Sequence, residues 1–276
     1  MANKSLPTSD FRSPTSPKLR IVIVGHVDHG KSTLIGRLFH DTHSLPDGKV
    51  EQIRKASEAE GMEFEFAFLL DALLEEQEQN ITIDTTQLPF RTASREYVII
   101  DAPGHKEFLK NMITGAASAD AAILLIDAHE GIQEQSKRHA YLLSLLGIRQ
   151  ILVAVNKMDL VEYSQERFEE VRADYTEFLS KLGIEPLDFI PISAKLGLNI
   201  TTSSPELNWF SGSPILEALE TLEISAPPEG LPLRFVLQDV YRFDERRILA
   251  GRIETGSLKV GDEIMFWPGG KKSRIK

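Results

Sequence analysis

Residues 25–33 read GHVDHGKST, so Gly25, His26, Val27, Asp28, His29, Gly30, Lys31, Ser32 and Thr33 fit the phosphate-loop spacing GxxxxGK[ST]. Chemically this is an anion cradle. Its glycines, Gly25 and Gly30, permit backbone angles and close approach that a Cβ forbids. Successive N–H groups then converge on one point, and a following helix adds the positive end of its dipole. The Lys31 ammonium can reach β- and γ-phosphates, and the Ser32 hydroxyl can ligate Mg²⁺. The pattern predicts a nucleoside-triphosphate site.

Three more clusters extend that chemistry. In Asp101-Ala102-Pro103-Gly104-His105 the Asp101 carboxylate can hold Mg²⁺ directly or through water. Gly104 lets a backbone N–H approach the γ-phosphate, and His105 stands where a GTPase needs a side chain to orient the attacking water. In Asn156-Lys157-Met158-Asp159 the Asp159 carboxylate can accept from guanine N1–H and N2–H₂, a donor pair that adenine lacks. The resulting unpaired polar group penalises adenine. The Lys157 stem can lie over the base, and Asn156 can tie this loop to the phosphate loop. Ser193, Ala194 and Lys195 complete the base pocket with a backbone N–H for guanine O6. Upstream, in Asn80-Ile81-Thr82-Ile83-Asp84, the Thr82 hydroxyl can join the metal shell and make a loop that orders with GTP and releases with GDP. The same residues equally suit the start of a β-branched strand.

These groups need a scaffold that brings distant loops together. Apolar strand-like runs occur at 19–24, 83–90, 97–100, 121–126, 150–155 and 189–192, with helix-length stretches such as 133–146 and 165–182 between them. Alternation of this kind predicts an α/β fold of P-loop NTPase type, a mainly parallel sheet with helices on both faces. Its ligands bind at the carboxyl ends of the strands, which is where each cluster falls. Residues 1–18, rich in Ser, Pro and Thr, read as a flexible tail, and 19–223 as the GTP-binding domain. The stretch 43–80 lacks a strand signature, is acidic and Gln-rich, and reads as a long mobile insertion. A linker is expected at 224–231. Short strands at 233–240, 247–254 and 262–266 then indicate an incomplete β-barrel domain over 232–276, as if the chain were a fragment.

Composition sets outer limits. The chain has 276 residues, 42% of them hydrophobic, enough for a substantial core. A formal charge of −10 argues against non-specific nucleic-acid binding but leaves a local RNA contact open. With no cysteine there are no disulfides or thiolate metal sites. No apolar stretch approaches the roughly 18–20 residues of a membrane span, no signal-peptide core stands at the N-terminus, and a cytoplasmic protein is expected.

Taken together, GHVDHGKST, NITID, DAPGH, NKMD and SAK resemble the translation-factor class of GTPases, over nearly everything from residue 19 to the end. The class includes elongation factor Tu, elongation factor 1-alpha and the GTPase subunit of sulfate adenylyltransferase. The resemblance implies GTP/GDP and Mg²⁺ as ligands, water positioning by His105, and shielding of that histidine by Val27 and Ile81. It also associates Asp28 with a monovalent cation in some members. Asn80 departs from the usual Gly before Ile-Thr, although Asn tolerates left-handed angles.

Within the class, residues 36–42, 69–73, 123–128 and 135–139, the last leading to 145–148, look more like the sulfate adenylyltransferase subunit. That assignment implies a small catalytic nucleotidyltransferase partner, and in some versions a fused adenylylsulfate kinase. Residues 156–168 and Asn208-Trp209-Phe210 also suit elongation factor 1-alpha. The leading expectation is the sulfate-activation GTPase. The alternatives are a translation factor delivering aminoacyl-tRNA, in which case nucleic acid becomes a partner, and a nucleotide-gated interaction module with negligible turnover.

Overall fold

The computed structural model describes residues 18–45, 48–59, 64–78, 87–92, 94–101, 116–224, 230–242 and 247–275. The chain divides into two compact units, Met1–Ile224 and Ser225–Lys276.

In the first unit the apolar runs form strands β1 (Leu19–Gly25), β2 (Gln87–Arg91), β3 (Glu96–Asp101), β4 (Ala121–Asp127), β5 (Gln150–Asn156) and β6 (Asp188–Pro191). They make one sheet in the order β2-β3-β1-β4-β5-β6. Every pairing is parallel except β2 with β3. β2 lies at the sheet edge, where Pro89 costs no ladder hydrogen bond. β4 is buried at every position because both sheet faces are covered, the reason such strands read as unbroken apolar runs. Alternate residues feed two cores. Ile21, Ile23, Ile123 and Leu125 join one face, and Val22, Val24, Leu124 and Ile126 join the other.

The first face is covered by α1 (Lys31–Asp41) and α6 (Ile215–Glu220), the second by α4 (Glu134–Leu145) and α5 (Gln165–Lys181). α5 begins where the Ser164 hydroxyl accepts the Arg167 N–H at 3.2 Å, the usual way to satisfy an orphan first-turn donor. Phe168, Val171, Tyr175 and Leu179 give it one buried stripe. The fully buried Tyr175 hydroxyl donates to Ser136 O at 2.9 Å and pins α5 to α4.

The stretch read as a mobile insertion differs from expectation. It contains two helices, α2 (Lys49–Ala59) and α3 (Ala67–Glu78). α2 buries only Ile53 and Ser57, one turn apart, too sparse a stripe to stand out among charged residues. α3 places Leu69 and Leu70 in the interior. The second unit contains hairpin β7 (Arg234–Arg242) with β8 (Arg247–Thr255) and hairpin β9 (Glu263–Phe266) with β10 (Lys271–Arg274), both antiparallel. Thus a mainly parallel sheet flanked by helices precedes the start of a β-rich unit. Of the linker expected at 224–231, residues 225–229 lie outside the described residues.

α1 and the turn before α3 meet backbone to backbone at Gly36. A Cβ there would fall 1.9 Å from Phe66 O. Helix propensity alone would make Gly36→Ala stabilising by about 1 kcal/mol. The contact reverses the sign, and urea denaturation should show a loss of about 1–3 kcal/mol, in the range of overpacked cores.

Candidate functional site

Strand order reverses about β1, so the crevice for ligands opens above the carboxyl ends of β1 and its neighbours. The loop leaving β1 occupies that crevice. Gly25 ends the strand against β4, where a Cβ would lie 2.6 Å from Leu125 O. Gly30 caps α1 at φ +90, and a Cβ on it would lie 2.5 Å from Asn156 Nδ2. Only glycine meets both the angle and the approach. Lys31 begins α1 and folds its ammonium onto the loop, donating to Gly25 O at 3.0 Å and His26 O at 2.9 Å. Ser32 and Thr33 follow in the first turn, half-buried, and Asp28, at φ 64, is exposed.

Asn156, the last residue of β5, is the joint between loops. Its buried side chain donates to His29 O at 2.8 Å and accepts from Ala194 N at 2.9 Å. Met158 N bonds to Ile192 O at 3.1 Å, and Asp159 Oδ1 accepts from Ser193 Oγ at 2.6 Å. Ser193 Oγ in turn accepts from Leu196 N at 3.3 Å. Residues 25–33, 156–159 and 193–195 therefore form one cluster, with Lys195 exposed at its rim. Asp101 ends β3, where its backbone pairs with Ile23. Its side chain, and Thr82, Gly104 and His105, lie outside the described residues.

Asp127 belongs to the cluster and was missed by motif reading. It ends β4 opposite Asn156, and its buried carboxylate holds Lys157 Nζ at 2.7 Å. Burial pushes its pKa up. The Lys157 ammonium and the N–H groups of Glu130 and His129 outweigh that and hold it below the usual carboxylate range. The available signal was a lone carboxylate closing the all-apolar run 121–126 at a strand tip. Lys157 itself adopts φ 61.

Two histidines are buried here, His29 within the 25–33 loop and His139 nearby. His29 packs edge-on to His26, ring centroids 5.2 Å apart. Depending on tautomer, its Nδ1 donates to Leu125 O at 3.2 Å or accepts from Asp127 N at 3.3 Å. Burial lowers its pKa. His139, buried on α4, is lowered to about 4 by burial and by the positive field of Lys31, His26 and His29. His43 and His129 are exposed.

A histidine held neutral by the fold binds its proton only after unfolding, so stability falls as pH drops from 6.5 towards 4. The loss from His139 reaches on the order of 3 kcal/mol. Melting temperatures measured between pH 7 and pH 4.5 should fall on acidification, and should fall less in His139→Gln.

The family described as elongation factor Tu GTP binding domain matches residues 16–226. Elongation factor 1-alpha of Methanosphaerula palustris is 44% identical over 264 residues, covering 94% of this chain and 62% of the relative. That of Pyrococcus furiosus is 46% identical over 253 residues, covering 91% and 59%. The chain thus spans about three-fifths of the curated relatives it matches. A solved structure of sup35 complexed with GDP aligns with TM-score 0.55 and 25% identity over 96% of this chain and 60% of that one. A bacterial selenocysteine-specific elongation factor EF-Sec aligns with TM-score 0.51 and 27% identity, covering 93% and 38%. Family match and loop geometry agree: the chain belongs to the elongation factor Tu GTP-binding domain family, GTPases of the translation-factor class that take GTP and GDP with Mg²⁺.

Proposed function

We propose that this chain is the GTPase module of a translation factor of the elongation factor 1-alpha kind, one that delivers aminoacyl-tRNA under nucleotide control. The observation carrying this reading is identity of 44–46% with the elongation factors 1-alpha of Methanosphaerula palustris and Pyrococcus furiosus across more than nine-tenths of the chain. The sulfate adenylyltransferase subunit, ranked first from sequence segments, draws no support from these relatives and is set behind the translational reading.

The cradle fits a guanine nucleotide. Asn156 locks the phosphate loop to the base loops, Gly30 leaves no Cβ in the way, and Lys31 presents a cation at the loop mouth. In our reading the loop N–H groups and Lys31 hold the β- and γ-phosphates. Asp159 accepts from guanine N1–H and N2–H₂, held in orientation by Ser193. The Ala194 N–H serves Asn156, so the donor for guanine O6 comes from elsewhere in residues 193–195. Ser32, Thr82 and Asp101 would hold Mg²⁺, which supplies Lewis-acid neutralisation of developing phosphate charge.

Hydrolysis is an in-line displacement. Water oriented by His105 attacks the γ-phosphorus and the bond to the β–γ bridging oxygen breaks. GDP and inorganic phosphate leave, while Lys31 and the loop amides stabilise the charge that builds up on the phosphate oxygens.

Asp159→Asn replaces an acceptor-only carboxylate with an amide and should transfer preference from GTP to xanthosine triphosphate in a competition assay. Retained GTP preference contradicts the base assignment. His105→Ala should slow GTP turnover by at least about a hundredfold while leaving GDP affinity near wild type. For the cellular role, full-length protein loaded with a non-hydrolysable GTP analogue should retain aminoacyl-tRNA and release it with GDP. Recovery of a small nucleotidyltransferase instead would restore the sulfate-activation reading.

A further inference from the structure

Arg167 stands outside every motif, in the first turn of α5, yet its guanidinium reaches across to the turn that follows β4. Nε donates to Ala128 O at 2.7 Å and Nη2 donates to His129 O at 3.3 Å, while Nη1 pairs with Glu170 Oε2 at 2.9 Å. The turn is shaped to receive it. Gly131 closes it at φ +72 with its N–H on Asp127 O at 2.8 Å, and a Cβ on Gly131 would sit 3.1 Å from Arg167 Nη2.

The two carbonyls that Arg167 binds belong to the two peptide groups that hold Asp127. The Ala128 carbonyl shares its peptide with the His129 N–H, which donates to Asp127 Oδ1 at 2.7 Å. The His129 carbonyl shares its peptide with the Glu130 N–H, which donates to the same oxygen at 3.1 Å. The other carboxylate oxygen, Oδ2, holds Lys157 Nζ at 2.7 Å. Peptide planarity makes each link rigid, and hydrogen bonds in series polarise one another in a low-dielectric interior.

We propose that Arg167 is a positioning residue for the guanine site: through the peptides of Ala128 and His129 it fixes the Asp127 carboxylate and thereby the reach of Lys157, which sets how long the nucleotide stays bound. This rests on the assignment of residues 156–159 to the base. Arg167 does not touch the nucleotide in this scheme. It acts by removing the freedom of the turn to rotate its two N–H groups away from Asp127, a freedom that would let Lys157 leave the stem position over the base. A lysine cannot replace it fully, because one ammonium lacks the planar fork that meets two carbonyls at once.

The test is release of a fluorescent GDP analogue from the full chain, read together with melting temperature. Arg167→Ala should accelerate release about tenfold, within the range for residues acting through one intervening network, and Arg167→Lys should fall between that variant and wild type. Lys157→Met should also accelerate release. The double variant Arg167→Ala with Lys157→Met should release no faster than Lys157→Met alone, while both Arg167→Ala proteins lose melting temperature. Multiplying effects in the double variant would overturn the inference, leaving Arg167 as a purely structural contact. So would unchanged release in Arg167→Ala beside accelerated release in Lys157→Met, an outcome that leaves the base assignment standing. Unchanged release in Lys157→Met would overturn both. If Arg167→Ala does not fold, Arg167→Lys and Gly131→Ala carry the test, since a methyl on Gly131 presses on the same guanidinium. Wild-type release from either would sink the proposal.

Discussion

One buried amide governs the site. Asn156 donates to the phosphate loop at His29 O and accepts from the base loop at Ala194 N, while its own carbonyl receives Ala128 N–H at 2.8 Å. Loops leaving β1, β4, β5 and β6 therefore meet on a single residue. Leaving such a buried group unpaired costs about 1–3 kcal/mol, so none of these loops can shift alone without breaking a bond that the interior cannot replace with water. The same amide occupies the space a Gly30 side chain would need. Residues 25–33, 156–159 and 193–195 are in this sense one structural unit.

The sheet makes this arrangement affordable. β1, β3, β4, β5 and β6 are apolar through their centres and become polar where the chain leaves them, at or just after Gly25, Asp101, Asp127, Asn156 and Ser193. A parallel register brings those tips to one edge of the sheet. Burial that would be ruinous for a lone carboxylate is tolerated at Asp127, which has an ammonium on one oxygen and two peptide N–H groups on the other. The two buried histidines pose the opposite problem: burial lowers the pKa of both His29 and His139 and so favours their neutral forms.

Membership of a translation-factor family sits well with the charge of the chain. A net −10 disfavours indiscriminate nucleic-acid binding. The chain spans about three-fifths of the length of the elongation factors 1-alpha it matches.

The amino-acid sequence by itself determined the fold class, because strands buried on both faces must be apolar throughout and helices with one wide apolar stripe must alternate with them. It also pointed to guanine-nucleotide chemistry, because Lys31, Asp159 and their neighbours are read through residue types at short fixed spacing. α2 escaped notice because a helix that buries Ile53 and Ser57 alone leaves almost no periodic trace. The sulfate-activation reading rested on scattered short resemblances, whereas the relatives match over more than nine-tenths of this chain. Asp127, Arg167 and the burial of His139 were decided by tertiary structure. Arg167 acts on main-chain carbonyls nearly forty positions away, and a carbonyl is the same in every residue, so that contact leaves no signature in sequence until the fold brings α5 against the end of β4.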